Sequence, residues 1–567
     1  MKHSGIAAQR FAFFYFFNSF IRVKGHQICF ILYFFVPLQP KNQLFESMRK
    51  LFTFIFAMTA ITVVQAKPKF TITVTSDRLQ TITGFGAASC FGAMEPYGKD
   101  TTPAKLLYGD ESAIGLNIMR MEISPNFVGD VKIPEWGNWD TPYDWNGSLP
   151  SAKIVKERGG IVFGTPWSPP GDFKTNGTAQ GGNSDDQGKQ EGRLRKDCYE
   201  KFFPWLNSFL QWMHDNGVDV DAVSVQNEPD WWVSYSGCLY TPEEQLDLVK
   251  NYAHMLDREK FNGVRLISGE PLGFDPQYSD ALMNDEVARN QIDIVAGHIY
   301  GHPPFGDTPP HSSYNIPANM QNAAKLAKKY GKEIWMTEHS VSDNIKGRLP
   351  NWQEQLEFAE EVNECIQAGC TGYIYWYMRA HWSFVGTGET EYGTDNKKNK
   401  LLPRAYVMSH FSKHLTGSTL LKSSATVDLK TNADIEASAF IKGDSLIVMA
   451  INTIDSDRDF IVKLPYNVKS GEMLVSWGNA SDELCQKYPI DIAEPAKRVV
   501  VDLPSQSLVT YIFTLDNSSS GVKELTRQDY TGPKTYFDLQ GRRLDKPQGL
   551  CIERRADGTA RKVIIKD

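Results

Sequence analysis

The stretch Val223-Ser224-Val225-Gln226-Asn227-Glu228-Pro229-Asp230 decides the fold. It opens as a buried strand, with branched apolar residues alternating with Ser and Gln. It stops at Asn-Glu-Pro, where Pro229 has no N–H with which to continue a ladder. A carboxylate is thereby fixed at a strand's C-terminal end, with an amide before it and Trp231 and Trp232 just beyond. One strand-end Glu is as readily a solvated residue as a functional one. A second strand repeats the design: Lys332-Glu333-Ile334-Trp335-Met336-Thr337-Glu338-His339 also runs apolar and also stops on a carboxylate. Two such strands call for an architecture that brings strand ends together.

Further strand-like runs lie on either side, at 84–89, 117–123, 160–167, 264–270, 292–300 and 372–377. Between them the apolar period turns helical, at 199–216, 242–257, 318–330 and 353–367. Strands alternating with helices imply a parallel sheet. Eight units over about 320 residues fit an α/β fold, the (β/α)8 TIM barrel, whose active site lies at the strands' C-terminal ends. An open doubly wound sheet would bring a glycine-rich phosphate loop or a switch-point ligand site, and the sequence offers neither. On this count Glu228 ends strand four and Glu338 ends strand seven.

After a last barrel helix at 406–415, short strands recur at 437–441, 445–452, 460–464, 474–477, 498–503 and 508–514, the rhythm of a β-sandwich. The run at 70–74 precedes the barrel, has no barrel partner, and is expected to complete that sandwich. Asn517-Ser518-Ser519-Ser520-Gly521 reads as a linker to a small C-terminal β tail.

The N-terminus is organised differently. Met48-Arg49-Lys50 is a basic start, 51–64 an apolar run, and Val64-Gln65-Ala66 a small-x-Ala cleavage site. That is the pattern of a signal peptide, so a secreted, periplasmic or cell-surface location is expected, with translation starting at Met48. The expected division is 1–47 outside the true protein, 48–66 signal peptide, and 67–81 N-terminal sandwich strand. The barrel follows at 82–415, the side β-sandwich at 416–515, and a linker with a sorting-like tail at 516–567.

A formal net charge of −7 argues against a nucleic-acid partner. The sequence has no CxxC, HExxH or phosphate loop, so no metal, nucleotide or other cofactor is expected, and the chain is expected to be a monomer. Of the eight cysteines, Cys198 with Cys238 is one pairing open to an exported protein, and nothing in the sequence commits to it. Thirteen Trp and 23 Tyr, several in polar loops, suit sugar rings, which present flat C–H faces with polar rims.

Across a barrel mouth two carboxyls can sit about 5–5.5 Å apart, the separation retaining glycoside hydrolysis needs. Asn227, placed to hydrogen-bond a sugar hydroxyl, favours Glu228 as acid/base and leaves Glu338 as nucleophile. The other strand ends supply Trp167, His298, Tyr300, Trp376 and Tyr377, with Trp231 just past Glu228. Arg120, in strand two, can hold a carboxylate ionised.

Gly84-Phe85-Gly86, Thr165-Pro166-Trp167-Ser168-Pro169-Pro170, Gln226-Asn227-Glu228-Pro229, Gly297-His298-Ile299-Tyr300-Gly301, Trp335-Met336-Thr337-Glu338 and Tyr375-Trp376-Tyr377-Met378-Arg379 follow one another in a familiar order. Over roughly 70–515 the chain resembles glycoside hydrolase family 30, and within it the bacterial glucuronoxylanase branch, subfamily 8. The resemblance implies a barrel with a side β-sandwich, retaining cleavage of β-1,4-xylan, Glu228 as acid/base and Glu338 as nucleophile. The tail around 538–543 is similar to C-terminal segments of exported Bacteroidetes-type proteins. That branch grips a methylglucuronic acid side group with an Arg after the Trp-Tyr-x-Arg run and a Tyr two residues past the nucleophile. Here those positions are Ala380 and Ser340, so strict dependence on the side group is not expected. Arg379 and Arg404 are the cations nearest to substituting. The alternative within the family is a β-1,6-glucanase or a β-glucosidase-type, glucosylceramidase-like enzyme. A catalytically silent carbohydrate-binding barrel is disfavoured by the presence of both Glu residues.

Overall fold

The computed structural model describes residues 67–90, 100–125, 145–181, 192–300, 316–340, 346–427, 435–478 and 484–516, with short strands at 20–23, 26–29, 534–537, 543–544, 549–555 and 560–565. The signal peptide expected at 48–66, most of 1–47 and the 517–521 linker lie outside the described residues. Residues up to Lys67 form one unit, of which a two-stranded hairpin, Phe20–Val23 with His26–Cys29, is described.

Within Pro68–Asp567, eight parallel strands close into a barrel. They are β1 (Gly84–Ser89), β2 (Ile118–Ile123), β3 (Ile161–Pro166), β4 (Ala222–Ser224), β5 (Arg265–Ile267), β6 (Ile294–His298), β7 (Glu333–Glu338) and β8 (Gly372–Tyr375). β8 pairs with β1 from Gly372↔Gly84 to Tyr375↔Ala87, which leaves no open edge. Inside, Ile118, Phe163, Ala222, Ile267, Ile294, Trp335 and Ile374 make a packed layer rather than a pore. Trp335 meets Phe163 edge-on at 5.6 Å. Gly372 is required beside it, because a Cβ there would lie 2.8 Å from the Trp335 ring.

The helices form where the 3.6-residue period predicts. Helix Tyr199–Asp215 buries Phe202, Trp205, Leu206, Phe209 and Met213 against the strands. Helix Trp352–Ala368 starts in a capping box, Asn351 with Glu354, and ends at Gly369 with φ 114°. The helix read over 242–257 is shorter, Pro242–Tyr252, and passes into a 3-10 turn at Ala253–Met255.

Strand four differs from its reading. Regular pairing stops at Ser224, and Val225–Asn227 continue through single bonds: Asn227 N–H to Pro166 O at 2.9 Å, Glu228 N–H to Glu270 O at 2.9 Å. Glu228 then takes φ 41°, a left-handed backbone that costs a non-glycine residue on the order of 1–3 kcal/mol. Neighbouring strands fix it there.

The side domain is an eight-stranded sheet system. Strand Lys69–Thr81 pairs antiparallel with Thr419–Val427 and parallel with Arg458–Ser476, so the segment before the barrel joins those after it. Phe70, Ile72 and Val74 alternate inward onto Phe460, Val462, Tyr511 and Phe513. The tail forms a separate four-stranded antiparallel sheet, Lys534–Phe537, Arg543–Leu544, Gly549–Arg555 and Ala560–Ile565. Cys198 and Cys238 are both buried free thiols, so the pairing open in the sequence is not made.

Candidate active site

The C-terminal ends of β2 to β8 converge on a buried polar cluster. Its centre is Arg120, on β2 and inaccessible to solvent. The guanidinium donates to Glu338 Oε2 through Nη1, to Asn227 Oδ1 at 2.7 Å through Nη2, and to Thr165 Oγ1 at 3.4 Å through Nε. Nη2 also lies 3.0 Å from Glu270 Oε2. Trp167 covers the cation at 4.6 Å and Trp376 flanks it at 5.9 Å, keeping water off.

His298, at the end of β6, sits between three carboxylates. Its Nδ1 lies 3.0 Å from Glu228 Oε1, its Nε2 3.3 Å from Glu270 Oε2 and 3.9 Å from Glu338 Oε2. Burial alone would favour the neutral ring. The surrounding carboxylates, Glu338 foremost, outweigh it and raise the pKa to about 9. Both ring nitrogens therefore donate. Tyr300 completes the hold on Glu338, its hydroxyl donating to Oε1 at 3.1 Å. Burial and the Glu338 charge push that phenol well above its usual range, so it remains a donor.

The two strand-end carboxylates are thus set differently. Glu338 accepts from Arg120 and Tyr300, contacts that hold a carboxylate in one orientation. Burial lifts the Glu228 carboxyl above the ordinary range, the His298 contact holding it back in part. Facing oxygens of Glu228 and Glu338 lie within 4.8 Å of each other and of a His298 nitrogen. Three such groups could in geometry hold a cation, which would have to compete with the proton on His298.

Arg120, His298, Tyr300, Asn227, Glu228 and Glu338 thus come together. The Asn227 carbonyl is taken by Arg120, which makes the residue a brace as much as a sugar contact. Trp167 and Tyr377 are 3% and 6% exposed, packed with Cys90 and Ala88 behind the more open Trp376. Trp231 stays outside the cluster, half-buried on the loop beyond Glu228, its N–H donating to Glu228 O at 3.1 Å.

Glu270 was not singled out by its sequence, yet it is fully buried and binds Arg120, His298 and the Thr165 hydroxyl at 2.7 Å. Burial raises its pKa, but Arg120 and His298 prevail and leave it at about 2. A signal was present: Ser268-Gly269-Glu270-Pro271 ends in Glu-Pro as Gln226-Asn227-Glu228-Pro229 does. Behind β7, Glu361 binds His339 Nδ1 at 2.8 Å, and His339 packs on Tyr300 at 5.0 Å.

A model of the glycosyl hydrolase family 30 TIM-barrel domain matches residues 142–376. The barrel thus carries a glycosyl hydrolase family 30 domain over those residues. A glucuronoxylanase of Bacillus subtilis (strain 168), XynC, is 25% identical over 458 residues, 80% of this chain and 93% of that protein. The crystal structure of a family 30 subfamily 8 xylanase from Clostridium acetobutylicum, Xyn30A, superposes with a TM-score of 0.61 at 29% identity, covering 79% of this chain and 99% of that one. An endo-1,6-beta-D-glucanase of Trichoderma harzianum, BGN16.3, is 23% identical over 308 residues, 52% of this chain and 58% of that protein.

Within this family 30 barrel, both spare cations are buried in internal contacts. Arg379 is 4% exposed and bound to Asp100 at 2.6 Å and Asn399 at 2.8 Å. Arg404 is 1% exposed and donates to the Tyr375 hydroxyl at 2.6 Å and to Trp382 O at 2.9 Å. Ala380 is buried, and the Ser340 hydroxyl is engaged with Tyr300.

Proposed function

We propose that the chain is a secreted, retaining glycoside hydrolase that cleaves the β-1,4-xylan backbone without strict dependence on glucuronic acid side groups. The observation that carries it is the Glu228–Glu338 pair, within 4.8 Å across the mouth and held in unlike environments. That spacing leaves no room for the water that inversion places between its carboxyls, and suits direct attack on the anomeric carbon. Glu228, raised by burial, donates its proton to the leaving oxygen while Glu338, oriented by Arg120 and Tyr300, forms the glycosyl ester. The deprotonated Glu228 then takes a proton from the water that resolves the ester. His298 donates to Glu228 and keeps its carboxyl aimed between the two sugars.

The xylan reading is supported by the subfamily 8 likeness over four-fifths of the chain. Freedom from the side group is supported by the burial of Arg379 and Arg404 in internal contacts. Incubation with plain xylan, glucuronoxylan and β-1,6-glucan, with mass spectrometry of the products, tests both. Expected are xylo-oligosaccharides from both xylans at comparable kcat/KM, with lengths that do not track glucuronate spacing. Products carrying glucuronate at one fixed position would overturn the second claim, and glucose oligomers from β-1,6-glucan alone would overturn the first. Export through the 48–66 signal is tested by N-terminal sequencing of the secreted protein, expected to begin near Lys67.

A further inference from the structure

Trp232 is 50% exposed, the most open tryptophan among the described residues. It stands on the loop that leaves Glu228, and with Trp231, Val233, Ser234 and Tyr235 it lines a cavity of about 380 Å³. An indole held in water on a loose loop would be unremarkable, but this loop is pinned. Gly181 N–H donates to Tyr235 O at 2.8 Å and Gly237 N–H to Ala179 O at 3.1 Å, tying it to the loop after β3. Between the two runs the buried Lys174 ammonium, which donates to Ala179 O at 3.1 Å, Gln180 O at 2.7 Å and Gly237 O. A Cβ on Gly237 would come within 2.4 Å of Val233, so the approach admits only glycine. Tyr235 packs on the cluster that holds Trp167, Trp376 and Tyr377, which sets this loop beside the aromatic wall of the site.

We propose that Trp232 is a stacking platform for a pyranose on the leaving-group side of the cleft, and that it makes turnover depend on chain length. The inference rests on the glycoside hydrolase reading above. The acid donates to the oxygen of the departing sugar, so that part of the chain must pass along the loop beginning at Glu228. A neutral sugar needs no charge there. It needs a flat apolar face held in place, which lowers the ordering cost of binding.

The test compares Trp232→Ala with wild type on xylan and on an aryl β-xylobioside, which has no sugar on the leaving-group side. The ratio of the two kcat/KM values should fall about tenfold, as expected for one aromatic contact. Trp232→Tyr should recover most of it. Transfer of the glycosyl group to added xylobiose, measured against transfer to water, should fall in parallel. An unchanged ratio, or an equal loss on both substrates, overturns the platform. An enzyme silent on both xylan substrates but active on β-1,6-glucan overturns the xylan reading instead. The same ratio taken on β-1,6-gluco-oligosaccharides and an aryl β-glucoside then decides the platform.

Discussion

Glu270→Gln isolates the charge that the cluster is built on while keeping the shape. The carboxylate is fully buried, so its ionised form exists only by virtue of Arg120 and His298. A carboxyl moved from an ordinary 4.5 to about 2 stabilises the folded protein by about 3 kcal/mol at neutral pH. Removing one partner of a buried pair costs about 3–5 kcal/mol in general, so the two routes agree. The sign follows from the lowered pKa: the contribution is complete above 4.5 and is lost as pH falls through 2. Urea unfolding of both proteins, followed by tryptophan fluorescence, should show a difference of about 3 kcal/mol at pH 7 that falls to about half or less by pH 3. Turnover should also fall, on the order of 100-fold, because Arg120 loses one of the anchors that aim it at Glu338. A difference below about 1 kcal/mol at pH 7, or one that does not shrink by pH 3, would refute the assignment of Glu270 as the buried counterion.

Other outcomes follow from the same geometry. Glu338→Gln should abolish turnover even of activated aryl glycosides, whereas Glu228→Ala should retain their first step and be rescued by azide; rescue of Glu338→Ala instead, with retained configuration, would reverse the roles. In wild type, kcat/KM should drop on the alkaline side as Glu228 loses its proton, at a pH above the ordinary 4.5, and Glu228→Ala assayed with azide should lack that limb. Ala380→Arg should raise the preference for glucuronoxylan by no more than about tenfold, since a single added cation arrives without a supporting shell. Arg379→Gln should lower thermal stability through the lost Asp100 pair yet leave the ratio of kcat/KM on the two xylans unchanged; a changed ratio would return Arg379 to the substrate.

The barrel is legible because each strand is a continuous apolar run and each helix carries its own period, signals confined to ten or fifteen residues. Glu228 and Glu338 are legible because Pro229 and the end of β7 place them at strand ends. Glu270 carries the same Glu-Pro ending, but its meaning depends on Arg120, Thr165 and His298 arriving from three other strands, which no local pattern contains. Trp167 and Tyr377 lie at strand ends and are largely buried, Trp167 over Arg120 and Tyr377 against Trp376, and Trp376 is the more open of the three.

On the double-displacement reading, the cluster also explains how a buried site tolerates a moving charge. Arg120 and His298 are cationic at neutral pH; Glu270 is anionic. With Glu338 ionised and Glu228 protonated, the five groups sum to zero. Ester formation removes the charge of Glu338, and the proton leaving Glu228 restores it on the other carboxylate. The sum stays at zero in both stable states, and the charge has only crossed the mouth, within reach of His298 at either end. Low polarity penalises net charge far more than relocation between fixed partners. Without Glu270 the resting cluster would carry an excess positive charge, which favours the ionised form of Glu228. The acid would then be lost at lower pH, so Glu270→Gln should shift the alkaline limb of kcat/KM downward. An alkaline limb that stays in place would show that the Glu270 charge does not set the proton affinity of Glu228.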